Sequence, residues 1–122
     1  MFLPDTLYIQ VFAHRFVASN IDSGVVREVP RDPQSVSPRM LIGAFAVAAG
    51  ELSALVKTVR RGLWAPVMLM HPMERIEGGL TEVEHRVFLE LGRGAGAARV
   101  GVHTGAVLAG DAVREAIRAY PH

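Results

Sequence analysis

The sequence predicts one α/β domain in the order βββαβαβα, with a mixed five-stranded sheet and helices packed on it. Three observations point there. Near the start, alternating apolar runs are joined by a turn signal; further on, two amphipathic helical stretches are separated by a short apolar run; a last strand and helix close the chain. At 122 residues, half of them hydrophobic, there is room for one domain spanning residues 1–122 and enough apolar matter to fill its core.

Leu7, Ile9 and Val11 alternate with Tyr8, Gln10 and Phe12, the period of a strand. Ala13-His14-Arg15 breaks the alternation and residues 16–21 resume it. Asp22-Ser23-Gly24 is a hairpin signal, since Asp and Ser bond their own backbone and Gly accepts positive φ, and residues 25–29 form a third, edge strand. Pro30, Pro33 and Pro38 mark a loop. Ser37-Pro38 reads as an N-cap followed by proline at the first helical position. Leu41, Phe45, Ala48, Leu52, Leu55, Val56 and Val59 recur at helical spacing behind it, predicting a helix of about 20 residues that stops at Gly62.

Residues 67–70, Val-Met-Leu-Met, are apolar on both faces, as a buried parallel strand is. After a loop over residues 71–80, Thr81-Glu82-Val83-Glu84 is a capping box, with Val83, Val87, Phe88 and Leu91 as the inward stripe and Gly92, Gly94 and Gly96 as the stop. Residues 99–103 read as a strand, and Val113, Ala116, Ile117 and Tyr120 as a helix beginning near Asp111. Trp64, Met68, Met70 and Met73 read as core or core edge.

Composition removes several functions. Thirteen basic residues are scattered among 12 acidic ones for a net charge of +1, so no phosphate-tracking stripe stands out and no nucleic-acid partner is expected. The absence of cysteine excludes disulfides, thiolate metal sites and Cys nucleophiles. Met1-Phe2-Leu3-Pro4-Asp5 does not read as a signal peptide, and the longest apolar run, residues 40–50, is far short of the roughly 20 residues that span a bilayer. No transmembrane segment and a cytoplasmic location are expected.

Among candidate sites, His71 and His103 both follow parallel strands, where open α/β sheets bind ligands. With Glu74 or Glu77 they would make a His/His/carboxylate pocket for a metal or ligand, the alternative reading of this chain as a small enzyme or binding domain. Their spacing matches no zinc signature, and the plainer reading takes them as strand-end polar residues beside solvated glutamates. Gly78-Gly79 precedes a helix start whose donors Thr81 and Glu84 already occupy, and the glycine run 92–96 follows a helix instead of opening one. Ser19, Ser23, Ser35, Ser37 and Ser53 sit in no nucleophile elbow. No catalytic residue, cofactor site or metal site is assigned.

The element order is that of the ribonuclease H-like fold. Ser37-Pro38-Arg39-Met40-Leu41-Ile42, Ala65-Pro66-Val67-Met68-Leu69-Met70-His71-Pro72, and Leu80-Thr81-Glu82-Val83-Glu84-His85-Arg86 with Gly94-Ala95-Gly96-Ala97-Ala98-Arg99-Val100 together resemble the first subdomain of bacterial actin-like, rod shape-determining (MreB/Mbl-type) proteins. The resemblance implies an actin-like ATPase subdomain, but the parts that hold ATP are missing. The family's Asp-x-Gly-Thr type loop is replaced by Gln10-Val11-Phe12-Ala13-His14-Arg15, which has no glycine to bring backbone amides against a phosphate. Its Glu-Glu-Pro type segment is His103-Thr104-Gly105, and its second half is lacking. The expectation is a non-catalytic, degenerate module without ATPase activity that works through protein–protein contacts. Its expected partners are a second copy in a homodimer, or a full-length actin-like or other cytoskeletal protein, which would link it to cell-shape machinery.

Overall fold

A computed structural model describes residues 4–62 and 64–121; the opening Met1-Phe2-Leu3 read above for a leader lies outside them. The strands are β1 (Thr6–Val11), β2 (Arg15–Asn20), β3 (Val26–Pro30), β4 (Val67–Pro72) and β5 (Arg99–Val102), and the helices α1 (Phe45–Val59), α2 (Glu82–Gly94) and α3 (Asp111–Ala119). The strands form one mixed sheet in the order β3-β2-β1-β4-β5. The first three are antiparallel neighbours, with Tyr8 opposite Ser19 and Ala18 opposite Arg27. β4 pairs parallel to β1, Tyr8 beside Leu69, and β5 parallel to β4.

Alternation divides the sheet into two apolar faces. Leu7, Ile9, Val11, Phe16, Ala18, Met68, Met70 and Val100 point to one face, where Leu52, Leu55, Val56 and Val59 of α1 and Phe88 and Leu91 of α2 cover them. Tyr8 and Leu69 point to the other, against Val113 and Ile117 of α3. Gly92 lets α2 lie close to the sheet: a Cβ there would stand 2.9 Å from both methyls of Val100.

The first helix begins later than its sequence pattern predicts. It runs for 15 residues from Phe45, and its N-cap, Ala44, makes no side-chain hydrogen bond. Ser37 instead closes a turn, its Oγ accepting from the Met40 amide at 2.9 Å. The carbonyls that a helix would spend on its own amides are taken by two arginines. Arg31 Nη2 donates to the carbonyls of Ser35 and Leu41, and Arg75 Nη1 to those of Ser37 and Met40. Gly43 lies against this loop so closely that a Cβ would be 2.8 Å from the Val36 carbonyl carbon. Two further expectations are corrected. Trp64 is 62% and Val83 69% exposed, so neither belongs to the core. Val83 is on the wrong side of α2 to reach the sheet; Phe88 and Leu91 do so.

Candidate functional site

A buried polar cluster lies at the carboxyl ends of the central strands, on the α3 face. His71 is inside β4 rather than after it, because the pairing with β1 continues through Gln10–His71 to Val11–Pro72. It is 1% exposed. Its Nδ1 lies 2.5 Å from the Tyr8 hydroxyl and its Nε2 3.2 Å from the Gly105 carbonyl. A carbonyl only accepts, so Nε2 carries the proton in the neutral ring and Nδ1 accepts from Tyr8. The Tyr8 oxygen in turn accepts from the Leu108 amide at 3.3 Å. The result is one directed chain from the Leu108 N–H through Tyr8 and His71 to Gly105. It ties the loop between β5 and α3 onto the sheet, and every donor in it has an acceptor.

His103 follows β5 and sets its ring edge-on to His71, with centroids 4.7 Å apart. Its Nε2 is 3.0 Å from the Ala106 carbonyl, within the same loop. Burial, and then the nearby His103 charge, lower the pKa of His71 against the opposing pull of the Gly105 carbonyl.

The two histidines therefore meet, and the glutamates do not join them. Glu74 turns to the β1–β2 hairpin, where its Oε2 accepts from the Ala13 amide at 2.5 Å. Glu77 is exposed, beside the Gly78-Gly79 turn. Among the described residues no three His, Asp or Glu side chains gather as a metal site requires.

The β1–β2 hairpin has its Phe12 and Ala13 amides engaged within the protein. The Phe12 amide donates to the Arg15 carbonyl at 3.0 Å and closes the turn, while the Ala13 amide is held by Glu74. The Arg15 guanidinium covers the Phe12 ring at 4.1 Å. Around α2, the capping box is present in both directions, Thr81 Oγ1 accepting from Glu84 N and Glu84 Oε1 from Thr81 N, each at 3.1 Å. Those bonds take up the Thr81 and Glu84 amides at the helix start next to Gly78-Gly79.

Sequence reasoning missed Tyr8, Arg31 and Arg75. Tyr8 sits at an alternate position of β1 and carries no signal that a histidine on a strand 63 residues away will meet its hydroxyl. Arg31 follows a proline in a loop without periodicity. Arg75 adopts positive φ (58°), which a non-glycine residue rarely signals. No family model matches the chain, and no curated protein matches it. Among the described residues no helix is long and apolar enough to cross a membrane.

Proposed function

We propose that the chain is a non-catalytic, degenerate actin-like module of ribonuclease H-like fold, akin to the first subdomain of MreB-type proteins. It acts in the cytoplasm through protein–protein contacts, self-association among them, and serves cell-shape or cytoskeletal machinery. The strand order β3-β2-β1-β4-β5, antiparallel on one side of β1 and parallel on the other, supports the fold part of this reading.

One observation carries the functional part. In the resembling family the first hairpin offers its amides to a phosphate. Here the Ala13 amide is bonded by the Glu74 carboxylate. A fixed negative group on that donor occupies it and repels a second anion, and a turn without glycine leaves little room for one. The pocket reading of His71 and His103 has weaker support, because both ring nitrogens of His71 are engaged within the protein and its side chain is buried.

Calorimetric titration with ATP and Mg²⁺ tests the proposal. The expected result is no saturable heat. Saturable binding of the nucleotide overturns it.

A further inference from the structure

The outward side of α2 is unusual. Val83 is 69% exposed, and Phe45 at the start of α1 is 41% exposed. Together with Val87 and Gly94 they line an open groove of about 920 Å³. The charged residues along the same groove are Glu82, Arg86, Glu90 and Arg93. Acid and base alternate here, and the order matters.

Consider two copies of α2 side by side. Glu82, Arg86, Glu90 and Arg93 lie on one flank of the Val83–Val87 stripe, so in a parallel pair the two charged flanks fall on opposite sides of the contact and do not meet. Antiparallel, about a two-fold axis at the height of residues 87–88, Glu82 faces Arg93 of the second copy and Arg86 faces Glu90. All four cross-pairs then have opposite signs. The apolar residues agree with this arrangement. Val83 falls opposite Gly94 of the second copy, where a Cβ would meet nothing within 4 Å, so there is open space for a valine to enter. A pattern whose charged flanks meet, with opposite signs, only in the antiparallel orientation favours a second copy in that direction.

We infer that α2 is the contact surface of a symmetric, antiparallel homodimer, with Val83 and Val87 at its centre and the Glu82–Arg93 and Arg86–Glu90 cross-pairs at its rim. The inference rests on the reading of the chain as a protein-contact module and names the surface of its self-contact. Because the surface is essentially one 13-residue helix, about 20 Å long, the dimer is small beside obligate ones, which commonly bury about 2,000 Å² or more. It is therefore reversible.

The test is sedimentation velocity over a concentration series, with circular dichroism to verify folding. The wild-type chain is expected to move from 13.2 kDa toward twice that mass as concentration rises. Arg86→Glu and Glu90→Arg each turn two cross-pair attractions into two repulsions, the latter also removing the 2.9 Å Glu90–Arg93 pair within α2, and should weaken the dimer on the order of tenfold or more. Mixing the two single variants, or combining both changes in one chain, restores opposite signs and should restore association. A wild-type chain that stays monomeric throughout overturns the inference, as do single variants that associate like wild type or a charge swap that fails to rescue. These outcomes leave the nucleotide titration untouched, and saturable ATP binding would refute the earlier reading while leaving this surface standing.

Discussion

Arg31 offers the sharpest test of what shapes the chain between β3 and α1. Its guanidinium is buried, yet among the described residues no carboxylate forms an ion pair with it. Nε donates to Ser35 Oγ at 2.8 Å, Nη1 to the Phe12 carbonyl at 2.8 Å, and Nη2 to the carbonyls of Leu41, at 2.6 Å, and Ser35. The plane also lies over Phe16, 4.4 Å from its centroid. Burial lowers its pKa, the Glu51 charge counters this and the Arg75 charge adds to it. Arg31→Met keeps the stem and removes every donor, leaving three carbonyls with one partner fewer in a site that water enters poorly. Leaving a buried carbonyl short of its donor costs about 1–3 kcal/mol, and since the Ser35 carbonyl keeps the Gly43 amide while those of Phe12 and Leu41 lose the guanidinium, a total of about 4 kcal/mol is a fair centre here. Against a total stability of about 5–15 kcal/mol that is a large share, and it should lower the urea midpoint by about 2 M. Arg31→Lys keeps the charge but cannot fork toward Phe12, Ser35 and Leu41 at once, so it should fall between the two. Equilibrium urea unfolding reads both. A Met variant within about 1 kcal/mol of wild type, or a Lys variant equal to it, would refute the claim that Arg31 organises this loop.

Two further outcomes are expected. Gly92→Ala should lose about 1 kcal/mol, because crowding against the Val100 methyls exceeds the helix-propensity gain. Gly50→Ala, in the exposed interior of α1 with open space around it, should gain about 0.5–1 kcal/mol; thermal melts of the pair check both signs. For His71, the lowered folded pKa means that the unfolded chain takes up a proton first as pH falls through about 6.5. Stability should be level above that pH and decline below it, by up to about 1.4 kcal/mol per pH unit, until the folded ring also protonates. Urea midpoints between about pH 5 and 8 should show that decline, and His71→Gln should flatten it while being less stable at neutral pH.

Much of the sheet was legible because Leu7, Ile9 and Val11 of β1 and Phe16 and Ala18 of β2 turn to the covered face while Gln10, Val17 and Ser19 are only half-buried, which imposes period 2. By contrast, β4 is covered on both faces and reads as a continuous apolar run. The capping box of α2 was legible because its two bonds depend only on residues 81 and 84. Legibility failed where distant groups replace local ones. Ser37-Pro38 has the composition of a helix start, but Arg31 and Arg75 claim the carbonyls beyond it. Val83 has helical spacing with Val87 and Leu91, yet a stripe wider than the buried face must leave one edge outside. His71 reads as a loop residue until the register with β1 is known. Its meeting with Tyr8 and the Leu108 amide is a product of topology, and no local pattern announces it.

The sheet order has a consequence for synthesis. β1 is made early but occupies the middle position, and β4, which completes it, follows about sixty residues later. At roughly 5–20 residues per second, the free edge of β1 waits some seconds on the ribosome with Leu7, Ile9 and Val11 uncovered by their later partners. Nascent chains stalled during that interval would present a sticky apolar ribbon to one another, which makes this the window in which a holding chaperone would matter most.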